Sequence, residues 1–309
     1  PYSVYYTAEE YRKMMEQTSG TYSGIGALVS QNAETGIITV VKAFADAPAA
    51  KAGVKNGDII YKVKGKEVTG VDINNVVTEM KGEKGTTVDI TVYRESEKKY
   101  IDFTITRDQV NEPTVEYKML DKKKKIGYIQ ISQFEEVTYD QFTKALDDLK
   151  KQGMKAVIFD VRSNPGGLYE TVCKMLDEIL PEGNLVSTKD KYGNEEKQTS
   201  DSKCLDMPMV VLQNKDSASA SEIFAGAIQD FNAGKIVGTQ SFGKGIVQTI
   251  LPLSDGSAVK LTVQDYYTPS GKNIHGKGIT PDVEAELEEN ATSDTQLEKA
   301  KETIMELMK

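Results

Sequence analysis

Three short segments carry residue types that together could activate a serine. The first, Asp160-Val161-Arg162-Ser163-Asn164-Pro165-Gly166-Gly167, follows the apolar run Ala156 to Val161 and precedes a helical pattern. Polar residues, a proline and two glycines at a strand's carboxyl end give a loop whose backbone N–H groups can close on a ligand; the same composition also serves a plain turn. The second, Ser217-Ala218-Ser219-Ala220-Ser221-Glu222, lies between a strand ending near Gln213 and a helix running through Phe231. A serine there stands at the positive end of a helix, where the next N–H can help form an oxyanion hole, although on local grounds Ser219 or Ser221 reads first as an N-cap. Nothing local chooses among the three serines. The third segment, Ser241-Phe242-Gly243-Lys244-Gly245-Ile246-Val247-Gln248, sets a lysine between two glycines among apolar neighbours. Burial lowers a lysine's pKa, and a general base near neutral pH needs a fall from roughly 10.4 to roughly 7–8, about 3–5 kcal/mol of lost charge solvation. A serine served by such a lysine performs acyl chemistry without histidine. The sole histidine, His275, sits in the loop Asn273-Ile274-His275-Gly276-Lys277-Gly278 and is the competing base.

The elements around these segments fall into two patterns. Thr7 to Gln17 reads as an amphipathic helix with Glu9 and Glu10 in its first turn. From Gly24 to about Asp108 short alternating strands dominate: 37–41, 58–63, 87–94 with Val88, Ile90 and Val92 on one face, and 100–106 with Ile101, Phe103 and Ile105 on one face. Helical pieces at 47–53 and 73–80 interrupt them. From Gly127 the pattern is mixed α/β: strands at 127–131, 156–161 and 209–212 alternate with helices at 139–151, around 172–179 and around 223–231. A hairpin, 246–253 and 258–267, turns at Asp255-Gly256, and a last amphipathic helix spans 294–308. The run Lys122 to Lys125 reads as a solvated linker between two domains.

Composition narrows the chemistry. The 309 residues make room for about two domains. A net charge of −9 excludes a protein built to grip phosphate backbones, so no nucleic acid partner is expected. One histidine and two cysteines, Cys173 and Cys204, do not furnish a zinc site or a disulfide scaffold, so neither metal nor cofactor is expected; a single bridge between the two cysteines stays open. There is no run of 18 apolar residues, and Pro1 reads as a mature start, with any signal or membrane anchor lying upstream.

The motifs Asn-Pro-Gly-Gly, Ser-Ala-Ser-Ala-Ser-Glu-Ile-Phe-Ala-Gly-Ala, Phe-Gly-Lys-Gly with Val-Gln, and Ile-His-Gly-Lys-Gly-Ile-Thr-Pro-Asp-Val occur in the order and spacing of the carboxyl-terminal processing peptidases, the S41 serine peptidase family, which this chain resembles from about Gly20 to Val283. Gly24-Ile25-Gly26-Ala27 resembles the carboxylate-binding loop of that family's PDZ domain, and 47–58 the segment after it. The resemblance implies an α/β and β-rich multidomain chain: an N-terminal helix over 1–20, a PDZ domain over 21–110, a protease core of the ClpP/crotonase type over 111–285 and a helical tail over 286–309. It implies Ser219 as nucleophile, Lys244 as general base, Gln248 orienting the lysine, and the N–H groups of Gly167 and Ala220 as the oxyanion hole. In a straight strand Lys244 and Gln248 would lie roughly 13 Å apart, so that contact requires a bend at Gly245. Asp216 and Ser241 stand where many relatives have Gly and Thr, and Asp230 matches a recurrent acidic position expected to be structural. Protein C termini are the implied substrates, held by Gly24, Ile25, Gly26 and Ala27 beside a helix offering Val76, Val77 and Met80, with PDZ binding gating the active site. The family also implies an extracytoplasmic setting, and a sporulation-linked branch suggests a homodimer through the terminal helices. The rivals are a PDZ adaptor that leaves peptides whole, an apolar-ligand carrier on the same fold, and a hydrolase using Ser219 with His275.

Overall fold

A computed structural model describes residues 2–288, 291 and 293–309; Pro1, read above as a mature start, and residues 289, 290 and 292 of the tail lie outside the described residues. The chain forms two compact units, one comprising the residues up to Ser19 together with Thr114–Lys309, the other Gly20–Pro113. The larger unit opens with strand β1 (Val4–Tyr6) and helix α1 (Ala8–Ser19). Thr7 starts α1 by exchange: its N–H donates to the Glu10 carboxylate at 2.8 Å and its hydroxyl accepts the Glu10 N–H. No residue of α1 is buried.

The smaller unit contains β2 (Thr21–Gly24), β3 (Ala27–Gln31), β4 (Ile38–Ala43), α2 (Pro48–Ala52), β5 (Ile59–Val63), β6 (Lys66–Glu67), α3 (Ile73–Met80), β7 (Thr87–Arg94), β8 (Lys99–Thr106) and β9 (Asp108–Asn111). Its main sheet runs β3-β4-β5-β7-β8, with β6 on β5, while β2 and β9 pair separately. Val88, Ile90 and Val92 all enter one core, as their alternation predicts. Asp72 caps α3 by accepting the Asn74 N–H. Val76 and Met80 of that helix are buried in the core, which leaves Val77 at its rim with Ala27 and Val29 of the edge strand β3.

A buried ion pair ties this unit together. The Arg94 guanidinium donates to both Asp58 carboxylate oxygens, each at 2.8 Å, and to the Gly53 carbonyl that ends α2. Arg94→Met would strand the buried Asp58 charge and cost this unit about 3–5 kcal/mol, whereas removing both charges costs less. Hydrogen exchange in β5 and β7 reads the loss directly.

After Thr114 the larger unit continues through β10 (Val115–Asp121), β11 (Ile126–Ile131), α4 (Thr138–Lys151), β12 (Ala156–Asp160), α5 (Tyr169–Asp177), β13 (Gly183–Asp190), β14 (Glu195–Ser200), β15 (Met209–Gln213), α6 (Ala220–Asp230), β16 (Gly234–Gly238), β17 (Ile246–Pro252), β18 (Ala258–Tyr267), β19 (Val283–Glu284) and α7 (Thr295–Leu307). A six-stranded sheet runs β10-β11-β12-β15-β16-β19, parallel except for the antiparallel edge strand β10. Strand alternation explains its layers. Val157, Phe159 and Val211 pack on the side of α4, α5 and α6, while Ile158, Val210 and Leu212 meet Ala300 and Ile304 of α7 on the other. The buried side of α7 is therefore used on its own sheet. A second sheet, β1-β18-β13-β14 with β17 also on β18, extends beside this core.

Two sequence expectations are corrected. Lys122–Lys125 is no linker between domains but the turn of the β10–β11 hairpin, nucleated by Asp121, whose carboxylate accepts the N–H groups of Lys123 and Lys124. The two units meet in sequence at Pro113 and Thr114 instead. The open question of a bridge also closes: Cys173 and Cys204 are both free, one buried and one exposed.

Candidate active site

The parallel pairing of β12 with β15 brings the loops that follow them out of the sheet side by side. Asn164, fully buried, locks the two together. Its amide donates to the Ile131 carbonyl, its side-chain oxygen accepts the Gly166 N–H, and its carbonyl accepts both the Ala218 N–H at 3.0 Å and the Ser221 hydroxyl at 2.9 Å. Ser217 donates to the Val161 carbonyl at 2.8 Å. The hydroxyls of Ser217 and Ser221 are thus buried and committed to loop structure. Ser219 alone of the three is partly exposed.

Ser219 sits at the N-cap of α6 with φ 56° and ψ −113°, a conformation a non-glycine residue adopts only under constraint. Besides the helix N–H of Ile223 on its carbonyl, two side chains supply that constraint. The Glu222 carboxylate accepts the Ser219 N–H at 2.9 Å, and the buried Tyr266 hydroxyl donates to the Ser219 carbonyl at 3.1 Å. Glu222 is itself fully buried, and its carboxylate further accepts the Ser241 hydroxyl at 2.6 Å, the Gly243 N–H at 2.7 Å and the Lys244 N–H at 2.8 Å. One anion therefore holds the backbone of Ser219 and the backbone of Lys244 at once. Ser241, a position where the sequence departs from its resemblance, belongs to this network.

The glycines close the other side. A Cβ on Gly166 would lie 2.9 Å from the Cβ of Ser219 and 3.1 Å from the N of Ala220, and one on Gly167 would collide with the Phe134 carbonyl. Both have positive φ, at 108° and 146°. Phe134 fixes the loop by donating its N–H to the Gly166 carbonyl and accepting the Leu168 N–H. Ala220 is the first residue of α6, so its N–H has no carbonyl within the helix to bond.

Lys244 lies in the loop before β17, half-buried. Burial holds its ammonium pKa below the ordinary lysine value; the charge of Lys260 lowers it further, and Glu222 pulls the other way. Its Nζ stands 5.2 Å from the centroid of the Tyr2 ring, and among the described residues no hydrogen bond joins it to the Ser219 hydroxyl. Gln248 donates its amide to the Tyr2 carbonyl at 2.6 Å rather than to a group on Lys244. The irregularity in this hairpin falls between Val247 and Gln248, where the register with β18 shifts. His275 is exposed; its backbone N–H donates to the Asn273 side chain, and its N and Cα lie where a Cβ on Gly245 would be. Asp230 holds Ser270 through its N–H and hydroxyl and lies 3.6 Å from Lys272, a structural role.

In the smaller unit Gly24 ends β2, and Ile25 and Gly26 lead into Ala27 of β3. The Ile25 carbonyl accepts the Ala49 N–H at 2.7 Å and the Gly26 carbonyl the Phe44 N–H at 3.0 Å, so this loop's carbonyls are turned to the body of the unit. Gly26 has φ 74°, and a Cβ there would overlap that of Ala47.

Sequence reasoning left Asn164 and Glu222 without a role inside the segments it singled out and missed Tyr2 and Tyr266. Only Glu222 carried a local signal, since Ser219-Ala220-Ser221-Glu222 has the spacing of a capping box.

Both units of the chain are similar to known protein families. The profile of peptidase family S41 matches residues 125–285, and that of the PDZ domain matches residues 23–105. The carboxy-terminal-processing protease of Bartonella bacilliformis is 41% identical over 93% of this chain, and a probable CtpA-like serine protease of Staphylococcus epidermidis is 40% identical over 92%. This chain spans 66% and 57% of those two relatives' own lengths. Among solved structures, a photosystem II D1 C-terminal processing protease superposes with a TM-score of 0.57 at 29% identity, covering 98% of this chain and 82% of that one. A putative S41 protease from Bacteroides fragilis shares the fold at 17% identity, with a TM-score of 0.60, 96% of this chain and 88% of that one. With the match to the peptidase profile over half its length and its PDZ unit ahead of that core, the chain belongs to peptidase family S41.

Proposed function

We propose that this chain is a serine endopeptidase that cuts proteins near their C termini. The observation that carries the reading is Glu222, whose single buried carboxylate accepts N–H groups from both Ser219 and Lys244 and so ties a nucleophile-like turn to a half-buried lysine. In the reaction the free amine of Lys244 accepts the Ser219 Oγ proton as Oγ bonds to the substrate carbonyl carbon. The resulting oxyanion sits against the N–H groups of Gly167 and Ala220. Collapse breaks the peptide C–N bond, and the leaving amine takes the proton back from the Lys244 ammonium. Water, deprotonated by the Lys244 amine, then bonds to the acyl carbon, and the ester C–O bond breaks as Ser219 Oγ takes the proton from the Lys244 ammonium. For this chemistry the Lys244 side chain has to leave the Tyr2 ring and turn to Ser219, with Gln248 orienting it there.

The PDZ unit in this reading docks substrate tails and gates the cut. A peptide adds as a strand along β3, its terminal carboxylate meets the loop of Gly24, Ile25, Gly26 and Ala27, and Val77 with Val29 floors the pocket for its last side chain. The relatives' printed names, carboxy-terminal-processing and D1 C-terminal processing protease, fit a tail-directed enzyme. An extracytoplasmic setting follows from the family resemblance; among the described residues no helix is long and apolar enough to cross a membrane.

The test uses one unfolded substrate in two versions, one ending in apolar residues and one ending in two aspartates, with products read by mass spectrometry. Cleavage of the apolar-tailed version at least about tenfold faster is expected, as is the expected loss of that preference in Gly26→Val. Equal cleavage of both tails would remove the PDZ selection and leave the endopeptidase, while binding without cleavage would point to an adaptor.

A further inference from the structure

Lys260 is the third residue of β18, opposite Val4 of β1 on one side and Ile250 of β17 on the other. Thr262, two residues on, is opposite Gln248, so strand alternation places Lys260, Thr262, Gln248 and Ile250 on one face of this sheet. Tyr2, two residues before Val4, brings its carbonyl to the Gln248 amide and its ring to the Lys244 ammonium on the same face. Lys260 is half-buried there, and among the described residues it has no carboxylate partner. A half-buried cation without a counter-ion is costly.

The groups that face Lys244 act in opposite senses. Glu222 at the start of α6 attracts the ammonium, and the Tyr2 ring ahead of β1 stabilises it by a cation–π contact. His275, in the loop packed against Gly245, is exposed and meets that glycine through its backbone. Lys260 on β18 is the group that opposes the ammonium. Burial lowers the pKa of both lysines, and each ammonium opposes the other, so the pair favours a state in which one of the two is a free amine.

We propose that Lys260 is a positioning residue for the base: a positive charge on the neighbouring strand, on the sheet face where Tyr2 joins Gln248 and Lys244, that faces the base and keeps it available as the free amine that takes the serine proton. The proposal rests on the Ser219–Lys244 reading above. It assigns Lys260 no contact with substrate.

The experiment is the pH dependence of kcat/KM on the apolar-tailed substrate for the parent, Lys260→Gln and Lys260→Arg. Lys260→Gln is expected to move the midpoint of the acid limb up by about one pH unit, which is about a tenfold loss below the midpoint and recovery above it. Lys260→Arg, which keeps the charge, should stay near the parent. A midpoint that does not move, or a loss equal at every pH, would overturn the proposal. A second measurement needs neither a variant at Lys260 nor activity. With all lysines carrying 13C-dimethyl labels, the Lys260 signal of the parent should sense the titration of Lys244, assigned through Lys244→Arg; two independent curves would overturn the coupling. If the curves are coupled yet Lys244→Ala still cleaves, the charge effect stands and the base assignment falls.

Discussion

Lys244→Ala is expected to lower kcat/KM by about a thousandfold or more while leaving the binding of C-terminal tails unchanged. General-base catalysis is worth about 10²–10⁴, and a base that acts with its nucleophile as one unit sits at the upper end. For the same reason Ser219→Ala with Lys244→Ala should be no worse than either alone. Lys244→Arg should be as inactive as Lys244→Ala, because a guanidinium does not give up its proton near neutral pH. Tail binding survives because the residues of the PDZ loop, 24–27, belong to the other unit of the chain. Steady-state cleavage with tail-peptide binding on the same samples checks both halves. If His275→Ala removed activity and Lys244→Ala did not, the base would be the histidine.

How much of this was readable beforehand depended on the distance over which each feature is decided. The strand carrying Val88, Ile90 and Val92 and the turn at Gly256 announced themselves, because alternation and a glycine turn are local. Strands β14, with the sequence Glu-Glu-Lys-Gln-Thr-Ser, and β16, which begins and ends in glycine, did not; their hydrogen-bonding neighbours rather than their own side chains make them strands. The four lysines after Asp121 looked like a linker on composition, yet one carboxylate accepting two backbone N–H groups makes them a hairpin turn. At the site the loops were legible and the choice of serine was not. Ser217, Ser219 and Ser221 share one turn, and they are separated by burial against Val161 and Asn164, residues more than fifty positions earlier. The Tyr2–Gln248 bond spans 246 residues and leaves no trace in either neighbourhood.

Glu222→Gln should lower kcat by about a hundredfold or more with little change in KM for a tailed substrate. The substitution preserves shape and removes the charge. It presents an NH₂ group to donors: the carboxylate now accepts from Ser219, Ser241, Gly243 and Lys244, two at each oxygen, and an amide has one oxygen to offer. Two buried donors therefore lose their acceptor, at about 1–3 kcal/mol each. Where the amide nitrogen takes the Oε2 position, the N–H of Ser219 loses its acceptor and the strain there, worth about 1–3 kcal/mol, can relax, although the Ser219 carbonyl keeps the Tyr266 hydroxyl and the Ile223 N–H. A displacement of about 1 Å at a nucleophile is enough for a hundredfold loss. Tyr266→Phe, which removes a single neutral hydrogen bond of about 1 kcal/mol, should cost far less. The rate at which a fluorophosphonate labels Ser219 measures the nucleophile apart from substrate binding, and it should fall in parallel with kcat in Glu222→Gln while circular dichroism stays that of the parent. Labelling at the parental rate with kcat still reduced would mean that the loss lies outside the activation of Ser219, and the hold of Glu222 on Ser219 and Lys244 would carry no weight in that step.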